Sequence, residues 1–285
     1  MDVAVVGAGR VGTALAVLLA RAGHRLVAVS GRDATRSRTE KFLPGVTIIP
    51  AMEAVKEADL VLIGVPDDAI AETAEGISGS VREGARVAHL SGSVPLSDLD
   101  PVTRAGAHAF SLHPLQTFPD VEAGIARLPQ SFVAVTATDD QTYELGERLA
   151  GDIGARPFRI PDERKPLYHA AAVFCSNYLA VTQRVAELLF TLAGLEDPVP
   201  MFEPLARSTI ENVFELGPAA ALTGPAARGD AGTIRRHLEA LSAEAPHSLP
   251  AYMELARAAV HLAAAEGNLT EGAMERVEEV LAEWK

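Results

Sequence analysis

The chain has 285 residues, enough for about two domains and a large buried core. Hydrophobic residues make up 48% and charged residues 22%, the balance of an ordinary soluble globular protein. A formal net charge of −13 argues against a nucleic-acid partner, and one cysteine excludes both an internal disulfide and a cysteine-rich metal site. No apolar run approaches the about 18 residues of a membrane span, and no secretory leader precedes the first strand-like run, so a cytoplasmic protein is expected.

Residues 2–6, DVAVV, read as a strand and lead straight into Gly7-Ala8-Gly9-Arg10-Val11-Gly12. The following TALAVLLARAG has helical spacing and stops at Gly23. In a strand–turn–helix setting, Gly7 permits the tight turn and Gly9 lets the backbone approach a pyrophosphate. Gly12 allows close helix–strand packing, and the helix N-terminus favours the anion. The second strand, RLVAVS, ends at Ser30-Gly31-Arg32. A hydroxyl and a guanidinium at that tip suit the 2′-phosphate of NADP(H), whereas Asp33 is the acidic residue that would instead suit NAD.

Further strand-like runs follow in VTIIP, ADLVLIGVP, ARVAHLSG, AHAFSLHP and SFVAVTA, with helical segments such as 68–80 between them. Alternating β and α elements predict a Rossmann-type doubly wound, mainly parallel sheet whose strand ends face a ligand crevice. Val65, Pro66, Ser91, Gly92 and Ser93 therefore join the glycine loop as candidate cofactor contacts. Asp67 and Asp68 either hold ribose hydroxyls or cap the next helix. Ser91 to Ser93 are either donors near the nicotinamide or a plain turn. His113, expected just beyond a strand and before Pro114, is either structural or a proton shuttle at the crevice.

From about 164 the β signals vanish, and an all-α C-terminal domain is predicted. The boundaries expected are 1–160 for the nucleotide-binding domain and 161–285 for a helical substrate and dimerisation domain. A long helix is predicted from Pro166 to Leu192, ending at Gly194, with others at about 200–216, 230–244, 248–266 and 270–284. Between them ALTGPAARGD, residues 221–230, offers Asp230 as a cap or Arg228 and Asp230 as substrate contacts. At about 100° per residue, Lys165, His169, Ala172 and Ser176 share one face of the long helix, with Asn177 to one side. Unsatisfied, each such polar group would cost roughly 1–3 kcal/mol on burial, so either other helices or a cleft must meet them.

The stretches VVGAGRVG (5–12), SLHPLQTF (111–118), KPLYHAAAVFCSNYLA (165–180) and LTGPAARGD (222–230) carry a resemblance that spans most of the chain. The N-terminal half resembles the NADP-binding domain shared by β-hydroxyacid dehydrogenases, pyrroline-carboxylate reductases, ketopantoate reductases and prephenate dehydrogenases. The whole chain is similar to a bacterial family of Rossmann-like proteins with a helical C-terminal domain of unknown function. The resemblance implies a nicotinamide-dependent oxidoreductase, with a C-terminal part like that of 6-phosphogluconate dehydrogenase and a homodimer through the C-terminal helices.

In the related enzymes a Lys opening this helix acts as the general acid, with Asn four residues on. This sequence has Lys165 followed by His169, so either could donate the proton, with Asn177 orienting and His113 near the substrate. The leading expectation is an NADPH-dependent reductase of a small anionic 2-oxo acid, ketopantoate first among them. The alternatives are a prephenate- or arogenate-like dehydrogenase using His113, and a non-catalytic NADP-binding regulatory protein. Neither a metal nor a membrane is expected to take part.

Overall fold

The computed structural model describes residues 1–284, the side chain of Asp33 excepted. Its eight strands are β1 (Asp2–Val6), β2 (Arg25–Ser30), β3 (Thr47–Ile48), β4 (Leu60–Ile63), β5 (Arg86–His89), β6 (His108–Leu115), β7 (Phe132–Ala137) and β8 (Arg156–Arg159). They form one sheet in the order β3-β2-β1-β4-β5-β6-β7-β8. Every pairing is parallel except β6 with β7. Central strands such as β4 (LVLI) are buried at every residue, as a sheet covered on both faces requires. One face packs on Leu15, Leu19 and Leu149, the other on Ile70, Ile77 and Leu99.

The helix Arg10–Arg21 directly follows the glycine loop, and its stripe from Gly12 to Leu19 is buried. Gly23 ends it at φ +94°, with the His24 N–H donating back to Leu19 O at 3.0 Å. The predicted helix near 68–80 runs from Ile70 to Ser78, after a short 3₁₀ turn at Asp67–Ala69. β8 was not expected from sequence. Arg156 and Arg159 are exposed and Pro157 lacks an N–H, which an edge strand tolerates and which hides its pattern. VTIIP contributes only the two residues of β3.

The chain divides into two compact units, Met1–Asn177 and Tyr178–Lys285. Residues 161–177 thus pack with the nucleotide-fold unit rather than with the helices that follow. The long helix expected from Pro166 is also not uniform. It is α-helical over Lys165–Ala172, widens to a π-turn over Val173–Asn177, and resumes over Tyr178–Leu192. Such π-turns recur at functional sites.

In the second unit, helices span Val199–Leu216, Ala231–Glu244, Leu249–Ala265 and Glu271–Ala282. Ile234, Leu238, Val260, Val277 and Leu281 make the shared core of the last three. Asp230 caps the second of these by accepting from Thr233 N–H at 3.0 Å, the capping role offered for it. Among the described residues no helix is long and apolar enough to cross a membrane.

Candidate active site

One row of register partners crosses the sheet at its carboxyl rim: Ser30, Val6, Ile63, His89 and Ser111. The segments beginning at Gly31, Gly7, Gly64 and Leu90 all emerge just beyond it. The sheet therefore brings the glycine loop, Ser30-Gly31-Arg32, Val65-Pro66 and Ser91-Gly92-Ser93 to a common edge, as the strand-end rule expects.

At the glycine loop, Gly7 sits at φ +84°, and a Cβ there would lie 2.7 Å from Val65 N, so only glycine fits. Its N–H donates to Ser30 O at 2.8 Å, tying the loop to the tip of β2. A Cβ on Gly12 would lie 3.0 Å from Gly7 O, the close packing inferred for it. Gly9 is different: the nearest atom to its notional Cβ is Gly64 O at 3.8 Å, leaving the space above the helix start open. No side chain caps that start, and no acidic residue lies in its first turn. The free N–H groups at Arg10 and Val11 and the positive helix end are thus fit to hold a pyrophosphate. At the β2 tip Arg32 is exposed. Asp33, the acidic alternative, lies outside the described side chains.

The nicotinamide-end loops are knitted to each other. Asp67 neither caps a helix nor stands free: it accepts from Ser91 Oγ at 2.7 Å and from Ser93 Oγ at 2.9 Å. The two serine hydroxyls, candidate donors from sequence, are therefore already engaged. Gly92 has a packing role, since a Cβ there would lie 2.8 Å from the His113 ring.

His113 lies inside β6 rather than after it. β6 continues to Leu115 because β7 pairs with it antiparallel, His113 opposite Ala134, beyond the point where β5 stops. Two residues past Ser111, His113 projects from the same sheet face as His89. Its Nδ1 is 2.8 Å from Tyr168 Oη, and its ring centroid is 5.8 Å from that of His169. Burial lowers His113 to about 4, aided by His169 and Lys165 and opposed by Asp67. Burial raises the Tyr168 hydroxyl to about 12. Near neutral pH this pair is a neutral imidazole beside a neutral phenol.

His113, Tyr168, His169, Ser176, Asn177 and Gln116 line a cleft of about 830 Å³, a volume suited to a small ligand. The π-turn lets Ser176 and Asn177 both face it, although Asn177 was expected to one side. Lys165 does not line the cleft. Its side chain is 2% exposed and runs beneath the loop 91–94, where Nζ donates to Val94 O. It lies 3.2 Å from His89 Nε2 and 3.7 Å from Asp162 Oδ1. Asp162 is itself held by Leu96 N–H, 3.1 Å from each oxygen. Burial lowers Lys165 to about 8, against the opposing pull of Asp162, Asp67 and Asp98.

Sequence reasoning missed His89 and Tyr168. Tyr168 precedes His169 in a stretch read for its helical face and falls off that face by about 60°. His89 ends an apolar strand, and its only signal is a polar residue at the carboxyl tip of β5.

Comparison with known proteins places two family models end to end on the chain. A Rossmann-like domain matches residues 1–114, and a domain of unknown function, DUF2520, matches residues 131–259. The glycerol-3-phosphate dehydrogenase [NAD(P)+] of Rhizobium etli is 28% identical over 65% of this chain and 60% of its own length. That of Moorella thermoacetica is 30% identical over 56% and 52%. The chain thus spans less than two thirds of these relatives.

Among solved structures, a Bacteroides fragilis protein provisionally described as an NADP oxidoreductase is 28% identical. It superposes at a TM-score of 0.77 over 91% of this chain and 98% of its own. A Thermotoga maritima protein, 23% identical, shares the fold at 0.70 over 93% and 99%. The site draws on both matched segments, with His89 and His113 in the first and Lys165 and His169 in the second. Residues 1–114 are thus similar to a Rossmann-like domain and residues 131–259 to a DUF2520 domain.

Proposed function

We propose that the chain is an NADP(H)-dependent oxidoreductase that reduces a small anionic 2-oxo acid, with ketopantoate the first candidate. One observation carries this reading. An uncapped, glycine-lined helix start and a cleft walled by His113, Tyr168 and His169 share one compact unit and emerge from one sheet rim. The names of the relatives, NAD(P)+ dehydrogenases and an NADP oxidoreductase, support the same class of chemistry. Ser30 and Arg32 favour the 2′-phosphorylated cofactor, because a guanidinium forms a charge-assisted pair with a phosphate that a bare ribose hydroxyl does not offer.

When bound, a reduced nicotinamide supplies hydride to a carbonyl carbon. The protein's task is then to orient the acid and meet the charge developing on the carbonyl oxygen. Of the two proton-donor candidates, His169 faces the cleft and Lys165 does not, so His169 takes the donor role in this reading. Neutral His113, held by Tyr168, offers Nε2 to the substrate. Asn177 and Gln116 supply uncharged donors for a carboxylate.

The test is NADPH oxidation followed at 340 nm (~ the usual nicotinamide band) with a panel of 2-oxo acids that includes ketopantoate. Turnover with one of them, cut sharply by His169→Ala while NADPH still binds, is expected. Tight NADPH binding without turnover of any panel member would favour the non-catalytic reading. NADP+ reduction driven by prephenate would favour the oxidative one, in which His113 takes a hydroxyl proton.

A cytoplasmic homodimer completes the proposal. Met201, Leu205 and Phe214 on the helix Val199–Leu216 are 64%, 67% and 80% exposed, apolar surface that a second copy would cover. A monomer mass by light scattering at micromolar concentration would remove that part.

A further inference from the structure

His89 and Lys165 form a buried pair that the proposed reaction does not use directly. His89 is fully buried at the tip of β5, and Ser91 N–H points at its Nδ1 from 3.2 Å. A backbone N–H can only donate, so Nδ1 must be the unprotonated nitrogen. A neutral imidazole carries one N–H, which therefore sits on Nε2, 3.2 Å from Lys165 Nζ. An Nε2–H facing an ammonium would set two donors against each other. Facing an amine, it meets a lone pair.

The remaining partners fit the amine as well. A neutral Nζ has two N–H bonds and one lone pair. Val94 O accepts one N–H and His89 fills the lone pair, while Asp162 Oδ1, 3.7 Å away, lies beyond hydrogen-bond reach. A protonated His89 would not rescue an ammonium, because it would add a second buried cation with both ring nitrogens as donors. Tyr168 and His113 lack this constraint, since a hydroxyl can donate or accept.

We infer that His89 is a positioning residue that, locked as its Nε2–H tautomer by Ser91, holds Lys165 as an uncharged amine beneath the cleft. The consequence falls on the imidazoles above. Burial, and after it His169 and a charged Lys165, press His113 towards its neutral form, so removing the charge of Lys165 relieves one of these pressures on that ring. With Lys165 uncharged, no second cation lies beneath the cleft in which a carbonyl would be reduced. The inference rests on the oxidoreductase reading for its purpose, but not for its geometry.

The groups facing Lys165 do not all act in one direction. Asp162, Asp67 and Asp98 favour its charged form, while burial opposes it and brings it to about 8. The fixed tautomer of His89 acts in the same direction as burial. Lys165 is therefore expected to lose its proton at or below about pH 8 rather than near the about 10.4 of a free lysine.

NMR of the whole protein, labelled with 13C and 15N in lysine and histidine, tests this without turnover. The lysine signal missing from Lys165→Met should titrate at or below pH ~8, and His89 should show Nδ1 as the unprotonated nitrogen. An ammonium persisting above pH ~8, or an Nδ1–H on His89, overturns the inference. His89→Gln offers Lys165 an amide oxygen, an acceptor suited to an ammonium. It should move the lysine midpoint up by about one unit or more, and move the acid that sustains kcat/KM down. Lys165→Met in the same background should reverse the second effect. A His89→Gln loss that Lys165→Met leaves unchanged, with no shift in pH profile, means His89 only fills space and also overturns it. If no 2-oxo acid is turned over, the function proposed above fails, and the NMR titration alone decides this inference.

Discussion

Gly92→Ala is the smallest change that addresses the cleft directly. Gly92 does not occupy the left-handed backbone region, so alanine adds no backbone strain there. What it adds is a methyl carbon 2.8 Å from Cε1 and Nδ1 of His113 and 2.9 Å from Nε2. Those separations lie well inside the about 3.5–4.0 Å of a relaxed contact. His113 cannot swing away freely, because its Nδ1 is bonded to Tyr168 Oη at 2.8 Å and its edge is packed on the Tyr168 and His169 rings. Overpacking costs roughly 1–3 kcal/mol, and a lost hydrogen bond roughly 0.5–1.5. A destabilisation of about 2 kcal/mol is expected, which for a chain of this size lowers Tm by roughly 4–8 °C. The displaced imidazole should also cut turnover by about tenfold or more, with NADPH affinity retained, since the glycine loop lies elsewhere on the rim.

The comparison is Gly76→Ala, on the helix Ile70–Ser78, where a new Cβ meets no atom within 4 Å. Alanine there should stabilise by about 0.5–1 kcal/mol through helix propensity alone. Thermal unfolding of both variants, with NADPH binding measured by fluorescence, provides the assay. If Gly92→Ala melts at or above the wild-type temperature and turns substrate over normally, the His113 ring does not lie over Gly92 and the cleft assignment is wrong.

Acid should destabilise the first unit through two rings. His89 and His113 fall to about 3 and about 4 on folding, so the unfolded chain takes up their protons first as pH drops below about 6.5. Their contribution is complete above that pH and is lost as pH falls, by up to about 1.4 kcal/mol per ring per pH unit. Urea titrations between pH 6.5 and 4 (~ the window these values define) should show a slope near two protons, and His113→Phe should reduce it to about one; an unchanged slope refutes the buried neutral ring. Gly9→Ala should leave the Tm of the free protein unchanged, because its Cβ enters open space. It should nevertheless weaken NADPH by about tenfold or more, about 1.4 kcal/mol, by standing where the pyrophosphate approaches. Equal NADPH affinity in calorimetry would mean the dinucleotide does not cross Gly9. Arg32→Ala should weaken NADPH by about 10- to 100-fold and NADH hardly at all, the loss of one charge-assisted contact. Equal losses for both cofactors would remove Arg32 from the 2′-phosphate.

The fold was legible in the sequence where local chemistry and tertiary environment agree. DVAVV followed by Gly7, Gly9 and Gly12 determines strand, turn and helix almost residue by residue, because Gly7 and Gly12 answer a backbone or packing demand there. The fully apolar LVLI likewise announces a central strand. β8 was hidden because its pairing comes from β7, not from its own residues: RPFR has neither an apolar run nor alternation. The extension of β6 through His113 and Pro114 is likewise a gift of β7, which no reading of SLHPLQTF by itself contains.

The candidate site was legible as a set of residues but not as a geometry. Spacing at 100° per residue placed Lys165 and His169 on one helix face, and the structure agrees that both turn towards the loops of the sheet rim. Angle says nothing about depth, however. A lysine side chain is long enough to pass beneath loop 91–94, while the shorter imidazole one turn later stops in the cleft. What draws Lys165 inward is His89 and Val94 O, from β5 and the loop directly after it, together with Asp162 one turn before the lysine. The substitution of His for Asn four residues after Lys165 thus acquires a physical sense. In the proposed reductase, with the lysine buried and uncharged, the group that faces the substrate must be able to carry a proton itself, which an imidazole does and an amide does not.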